Sequence, residues 1–161
     1  MAIVTDIIET ERLRLRGIDE TDAPLIVSWR GDPAVYRYFK NPRKITEEEH
    51  LRWYRERYLP DEAREDRMCL TKDGERIGVF GLIREGDSAE VSYLLAPEAR
   101  GKGYAAEAVN GLLRYAKETW RVCRVTAEIH KDNGPSLALA RRLGFTPAGE
   151  TGDFIIFEKE V

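Results

Sequence analysis

The sequence has few of the residues that build disulfide frameworks and metal centres. Its 161 residues include two cysteines, Cys69 and Cys123, and two histidines. The cysteines lie far apart and form no C-x-x-C pair, so we expect no disulfide, no zinc site and no other metal site. Both thiols are expected to be buried as small apolar side chains in a reducing compartment.

Long apolar segments and an excess of positive charge are also missing. No stretch approaches the roughly 20 apolar residues that span a bilayer. The first residues, MAIVTDIIETERL, lack the basic start, apolar run and small-residue cleavage site of a secretory signal. The net charge of -3 disfavours a general nucleic-acid binder. These features predict a cytoplasmic protein that binds neither a membrane nor nucleic acid.

What is present fits one globular domain. Hydrophobic residues make up 42% and charged residues 34% of the chain, and there is no internal repeat, low-complexity segment or linker. The length allows one substantial core but hardly two. We therefore expect a single domain over residues 1–161.

The hydrophobic pattern alternates between strands and helices along the whole chain. Strands are expected at 12–16, 67–71, 75–84, 89–95, 124–129, near Phe145 and at 153–159, and helices at 22–30, 46–58, 105–120 and 136–143. Early hairpins followed by a β-α-β unit indicate an α+β fold. Its central sheet is expected to have about seven strands, mostly antiparallel, with helices on both faces.

The segment RGKGYAAEA at 100–108 lies between an expected strand and an expected helix. Gly101 and Gly103 let the backbone bend and let amide N–H groups point at an anion from the helix start. The segment fits neither G-x-x-x-x-G-K-[ST] nor G-x-G-x-x-G, which disfavours a P-loop or a Rossmann dinucleotide site. Taken alone, it fits a plain strand-to-helix turn better than an anion site.

A second segment, NGPSLALARRLGF at 133–145, changes this interpretation. Together the two segments resemble the GNAT superfamily of N-acetyltransferases, in which R/Q-x-x-G-x-G/A opens the central helix and N-x-x-S/A with a terminal G-F marks the next. ERLRLRGIDETDA is similar to the opening of the RimJ/RimL-like branch of that superfamily. Residues that carry the two motifs are Arg100, Gly103, Ala105, Asn133, Ser136, Gly144 and Phe145.

The resemblance implies acetyl-CoA as the cofactor. The loop amides would hold its pyrophosphate at the helix N-terminus, and its pantetheine arm would lie between two strands that splay apart. The backbone of the strand at 91–95 would bond to that arm, and a backbone N–H near Leu95 would stabilise negative charge on the thioester oxygen. The expected cofactor-binding residues are Tyr93, Leu94, Leu95, Arg100, Gly101, Lys102, Gly103, Tyr104, Ala105, Asn133 and Ser136. Asn133 could equally cap the following helix.

Direct attack of an amine on the thioester needs a base for the ammonium and an acid for the thiolate. By similarity to the family, Glu128 is the first candidate base, and Glu90 on the neighbouring strand is the second. Many members carry a tyrosine seven residues after the motif asparagine, but that position is Ala140 here. Ser136 is the nearest substitute as the acid, and Tyr93, Tyr104 and His130 stay open.

The N-terminal half is expected to choose the acceptor. SWRGDPAVYRYF and ITEEEHLRWY are similar to the branch that acetylates a nucleotide-linked amino sugar in pseudaminic-acid synthesis. That similarity rests on Trp29, Arg30, His50 and Trp53, although the helical spacing around Trp53 equally fits a packed helix face. A peptide or protein amine is the competing acceptor. The missing tyrosine leaves another alternative, a catalytically silent acyl-CoA-binding sensor, and the chain is expected to be a monomer or homodimer.

Overall fold

One eight-stranded sheet forms the centre of the computed structural model, which describes residues 4–161. The strands are β1 (Ile8–Glu9), β2 (Leu13–Gly17), β3 (Arg64–Thr71), β4 (Arg76–Glu85), β5 (Ser88–Leu95), β6 (Arg124–His130), β7 (Thr146–Thr151) and β8 (Phe154–Glu160). Their order across the sheet is β1-β2-β3-β4-β5-β6-β8-β7. The β5–β6 pair is parallel and every other neighbouring pair is antiparallel.

Five α-helices connect the strands, and local sequence explains where several of them begin. They are α1 (Ala23–Arg30), α2 (Pro33–Tyr36), α3 (Glu47–Trp53), α4 (Tyr104–Glu118) and α5 (Gly134–Arg142). Thr46 and Glu49 form the expected capping box at the start of α3. A π-helical turn, Tyr54–Tyr58, continues α3, so the helix expected at 46–58 is present with a change of hydrogen-bond spacing.

The helices cover both faces of the sheet, as expected. Arg64 and Glu65 are neighbours on β3 and therefore point to opposite faces. Arg64 lies over the ring of Trp53 in α3, whereas Glu65 accepts a hydrogen bond from Tyr115 in α4. Helix α4 buries the apolar stripe that its sequence predicted, which consists of Ala108, Val109, Leu112, Leu113 and Ala116. The main core therefore lies between α4 and the sheet.

The expected strands and helices are all present, and most ends shift by only a residue or two. The sequence did not predict β1 or α2, because two and four residues are too few to show a periodic pattern. Cys69 is buried as expected, but the same expectation for Cys123 is wrong. Cys123 follows α4 at the surface, where its Sγ lies 3.4 Å from the carbonyl oxygen of Asp87. No helix within residues 4–161 is long and apolar enough to cross a membrane.

Candidate active site

Strands β5 and β6 diverge in the middle of the sheet. Their parallel pairing covers three positions and ends where Glu90 faces Thr126. Beyond that point β5 stays paired with β4 as far as Leu95, and β6 stays paired with β8 as far as His130. The segments 91–95 and 127–130 therefore border a cleft within an otherwise continuous sheet, which is the splay expected from the sequence.

The loop between β5 and α4 has the backbone that an anion site needs. Gly101 and Gly103 have φ values of +78° and +79°, the left-handed region in which a side chain is strained. Among the backbone hydrogen bonds of residues 4–161, none is donated by the N–H groups of Gly101 and Gly103. A Cβ atom on Gly101 would meet nothing within 4 Å, so the space beside the loop is open. Unpaired amides beside the positive end of a long helix suit a phosphate group.

Glu107, in the first turn of α4, anchors this loop to the start of β2. Its carboxylate accepts hydrogen bonds from the Thr10 hydroxyl at 2.5 Å and from the backbone N–H and Nε of Arg12 at 2.8 and 2.6 Å. Burial raises the pKa of Glu107, but these hydrogen bonds outweigh burial and leave it below its usual value. Glu107 is therefore a fixed carboxylate within the fold and not a free base.

The two candidate bases share one face of the sheet at the cleft. Glu90 pairs with Thr126, and Glu128 lies two residues further along β6, so all three side chains project to the same side. Burial, followed by the neighbouring Glu128 charge, raises the pKa of Glu90. Glu128 instead makes an ion pair with Lys40, whose pKa rises because it bonds to that carboxylate.

The sequence did not reveal Lys40 as part of this site. It lies in the connection after α2, and aromatic contacts hold that connection against the sheet. The Tyr38 ring lies 5.3 Å from the His130 ring, which in turn lies 5.3 Å from Phe154. The Lys40 ammonium lies 5.8 Å from the centre of the Phe154 ring. His130 thus serves as a packing surface for this connection.

A pair of hydroxyl groups lies on the other face of the sheet. The Tyr93 hydroxyl on β5 is 3.0 Å from Ser136 Oγ on α5. The Tyr93 ring stacks on Phe80 with an interplanar angle of 9°, and burial raises the pKa of its hydroxyl. Asn133 caps α5 through its Oδ1, which accepts the Ser136 N–H at 3.4 Å. Tyr93 and Ser136 therefore meet beside the cleft, opposite the two glutamates.

Two of the four residues expected to contact the acceptor are in the core. Trp29 and His50 are each 4% exposed, Trp29 as part of the main hydrophobic core and His50 with its ring against that of Trp53. Neither side chain presents an exposed surface in this structure, and their role in binding the acceptor stays a prediction. The side chain of Arg30 is partly buried beside Phe39, and burial lowers its pKa. Trp53 is the member of the set that faces a cavity.

The cavity at Trp53 has a volume of about 630 Å³ and a strongly charged lining. Its lining residues are Glu49, Arg52, Trp53, Glu56, Arg57, Tyr58, Asp61 and Arg64. Arg64, whose guanidinium lies 5.1 Å from the centre of the Trp53 ring, also acts electrostatically on Glu90. The cavity therefore lies on the same face of the sheet as the two glutamates.

The remaining expected cofactor residues lie along the cleft and its loop. Leu94 and Leu95 are partly buried in the part of β5 that does not pair with β6, and Ala105 is in the first turn of α4. Arg100 donates to the Ala34 carbonyl oxygen at 3.3 Å, and the Tyr104 ring lies under the Arg12 guanidinium at 4.6 Å. Within the part of the chain that the structure describes, no three His, Cys, Asp or Glu side chains could together hold a metal ion.

Comparisons with known proteins agree with this architecture. The family model described as Acetyltransferase (GNAT) domain matches residues 12–146. The chain is 29% identical over 152 residues to the uncharacterised N-acetyltransferase p20 of Bacillus licheniformis, with 90% of this chain and 85% of that protein covered. It is 28% identical over 138 residues to the acetyltransferase PseH of Campylobacter jejuni, with 85% of each chain covered.

The fold also matches a solved structure of RimL, a ribosomal L7/L12 α-N-protein acetyltransferase, in complex with coenzyme A. The TM-score is 0.85 at 20% identity, and 97% of this chain and 98% of that chain are covered. The family model and these relatives confirm the superfamily that the sequence resembled, and the RimL structure shows the same fold. This chain belongs to the GNAT acetyltransferase domain family and is an acetyltransferase.

Proposed function

We propose that this chain transfers an acetyl group from acetyl-CoA to a primary amine, with the donor and the acceptor meeting in the cleft between β5 and β6. The observation that carries the proposal is the placement of two functional pairs on opposite sides of this cleft. Glu128 and its ion-paired ammonium lie on one face, and the hydroxyl groups of Tyr93 and Ser136 lie on the other.

The loop and the cleft suit the two parts of acetyl-CoA. The amides of Gly101 and Gly103 and the N-terminus of α4 would hold the pyrophosphate, with Arg100 and Lys102 adding positive charge. The open edge of β5 from Tyr93 to Leu95 would bond to the pantetheine arm. Asn133, although it caps α5, lies beside the same cleft. Bound there, acetyl-CoA supplies a thioester, which is a reactive acyl donor.

Glu128 is the better candidate for the base. A lysine-like amine with a pKa near 10.4 costs about 4.6 kcal/mol to deprotonate at neutral pH, and an α-amine near 7.8 costs about 1 kcal/mol. Glu128 already contacts a primary ammonium, that of Lys40. Glu90 lies further back, where β5 and β6 are still paired with each other and the cleft has not yet opened.

Tyr93 and Ser136 together take the role of the family's acid tyrosine, whose position is Ala140 in this chain. The Tyr93 hydroxyl reaches α5 from β5, whereas the usual family residue is on the helix itself. Burial raises the pKa of the Tyr93 hydroxyl and so keeps it protonated, and a protonated phenol beside the cleft can donate its proton to a departing thiolate. Ser136 would relay or replace that proton. The main argument for a catalytically silent sensor was the missing tyrosine, and this pair beside the cleft weakens that argument.

Two acceptor classes stay in competition. A nucleotide-linked amino sugar suits the 630 Å³ cavity, since its lining includes the aromatic Trp53 and Arg57, whose guanidinium suits phosphate. A peptide or protein amine suits the relationship to RimL, which acts on a ribosomal protein. Both would approach from the face that carries Glu128.

A panel of amines tests the function and separates the acceptor classes. Coenzyme A release and product mass would be measured with nucleotide-linked amino sugars, peptides with free N-termini, and polyamines. A mass increase of one acetyl group, matched by coenzyme A release, supports transfer. Calorimetric binding of acetyl-CoA with no release over the whole panel would instead support a silent binding domain. Trp53→Ala, compared with Trp120→Ala on the opposite face, then shows whether the cavity contributes to KM.

A further inference from the structure

Lys40 places a primary ammonium on the carboxylate to which we assign proton removal. The Lys40 side chain is 62% exposed and the Glu128 side chain is 21% exposed, so an exposed lysine reaches into a sheltered site. The connection that carries Lys40 is held in place by Tyr38 against His130 and by the ammonium over Phe154. Three contacts therefore hold this lysine where an acceptor amine would have to lie.

We propose that Lys40 is a site of self-acetylation, in which its ε-amine accepts the acetyl group from acetyl-CoA bound to the same chain. The proposal rests on the proposed function, in particular on Glu128 as the base. It goes beyond that function because it assigns a modification site on the chain itself. It also makes Lys40 a competitor of external amines for the same carboxylate.

The transfer balances without any further reactant. Glu128 takes one proton from the Lys40 ammonium and leaves a neutral amine. The nitrogen forms a bond to the acetyl carbonyl carbon, the carbon–sulfur bond breaks, and sulfur leaves with the bonding electron pair. The nitrogen loses a second proton and the thiolate gains one, so the products are ε-N-acetyl-lysine and coenzyme A. Acetylation removes the positive charge of Lys40 and leaves Glu128 without that ion pair.

Lys131 provides a matched comparison. It is 57% exposed and also makes an ion pair, with Asp153 at 3.3 Å. Its partner lies in the β7–β8 turn and not at the cleft. If acetylation were only the slow chemical reaction of acetyl-CoA with exposed lysines, Lys40 and Lys131 would react at similar rates. Lys44, exposed on the same connection, is a second comparison.

The first experiment incubates the full chain with isotope-labelled acetyl-CoA and no acceptor, and follows each lysine by peptide mass mapping. We expect Lys40 to be labelled at least about tenfold faster than Lys131 or Lys44. Glu128→Gln should lower the rate of Lys40 labelling at least about tenfold. The rate constant should not change with protein concentration, because the reaction is intramolecular. Equal labelling of the three lysines, or a rate constant that rises with protein concentration, would overturn the proposal.

A second experiment needs no acetyl-CoA. The Cε resonances of labelled lysines are titrated by NMR in the wild type and in Glu128→Gln. The Glu128 carboxylate raises the pKa of Lys40, so the variant should lower it. An unchanged Lys40 titration would show that the two groups do not meet in solution, and it would overturn the proposal.

External amines separate the failure of this proposal from the failure of the proposed function. If Glu128→Gln impairs turnover of an external amine while Lys40 is never labelled, self-acetylation is wrong and the base assignment stands. If Glu128→Gln changes neither reaction, the base assignment itself is wrong, and self-acetylation through Glu128 fails with it.

Discussion

Arg12 and Glu107 are joined across the fold, with Nε of the arginine 2.6 Å from Oε1 of the glutamate. Arg12 directly precedes β2, and Glu107 is in the first turn of α4. The same guanidinium donates from Nη1 to the carbonyl oxygen of Lys102 at 2.9 Å and covers the Tyr104 ring. One side chain therefore links the sheet, the helix and the candidate pyrophosphate loop.

The first prediction follows from this link. Arg12→Ala should weaken acetyl-CoA binding by roughly two- to fivefold, because the loop loses its bond to Lys102 while the pair with Glu107 is a partly exposed one of modest strength. Calorimetric titration measures the change. Arg14→Ala is the control, since Arg14 makes a similar exposed pair with Glu9 away from the loop. An equal loss of acetyl-CoA affinity in both variants would show that Arg12 has no specific role in holding the loop.

The second prediction separates backbone shape from side-chain charge in the loop. Gly103 has a φ of +79°, and a Cβ atom there would lie 3.4 Å from Nη2 of Arg12. Gly103→Val should therefore weaken acetyl-CoA binding more than Lys102→Ala, which removes one exposed charge worth about 1 kcal/mol or less. Gly134→Ala, where a Cβ atom meets nothing within 4 Å, is the control. A reversed order in titration would mean that side-chain charge holds the anion.

Features encoded by neighbouring residues could be predicted from the sequence. The alternation in RLRLR, the capping box at Thr46 and the helical stripe around Leu112 each depend on a few adjacent positions. The two glycines of the loop belong to this group as well, because their need for a left-handed backbone is local. The expected order of elements followed from these signals.

Features that depend on tertiary position could not be predicted in this way. Lys40 lies in an irregular connection with no periodic pattern, and only the folded chain brings it to Glu128. The contact between Tyr93 and Ser136 joins residues 43 positions apart on different elements. The burial of His50 likewise depends on the angle at which α3 meets the sheet. None of these relationships has a signature in a single sequence.

The third prediction concerns the proton donor. Tyr93→Phe and Ser136→Ala should each lower kcat, and the double variant should lose less than the product of the two losses, because the hydroxyls act as one unit. Phenylalanine keeps the stacking on Phe80, so the fold should be retained. Steady-state kinetics of the wild type, the two single variants and the double variant over a range of pH tests this expectation. If the loss of kcat in the double variant equals the product of the two single losses, the two hydroxyl groups do not act on one proton.

The fourth prediction concerns stability and Glu90. Burial holds the pKa of Glu90 above its ordinary value of 4.5. Below that pH Glu90 is protonated in both the folded and the unfolded chain, so its ionisation does not lower the stability of the fold. As pH rises through the folded pKa, the ionised form is disfavoured only in the folded state, and stability is lost.

Glu90→Gln should therefore raise Tm at neutral pH and leave it unchanged in acid. Thermal unfolding of both proteins across pH gives the comparison. Glu150→Gln, at an exposed position on β7, is the control and should follow the wild type throughout. A variant that gains no stability at neutral pH would mean that Lys40 and Arg64 compensate fully for the burial of this carboxylate.

The fifth prediction tests the base. Glu128→Gln should lower kcat/KM for an amine acceptor by roughly 10²–10⁴ at neutral pH, because the ammonium proton then loses the acceptor that we assign to it. The deficit should shrink as pH rises toward the pKa of the amine, since bulk solvent then supplies the neutral nucleophile. Acetyl-CoA affinity, measured by calorimetry, should stay near the wild type because no expected phosphate contact is removed.

Glu90→Gln, measured beside it, distinguishes the two carboxylates. Both variants keep the size of the side chain and remove one negative charge from the same face of the sheet. A general effect of charge at the cleft would therefore lower the two activities alike, whereas a base at Glu128 makes its variant far slower. The assignment is wrong if kcat/KM of Glu128→Gln stays within about threefold of the wild type at every pH while that of Glu90→Gln falls strongly. Glu90 on β5 would then be the base, and the contact between Lys40 and Glu128 would be only structural.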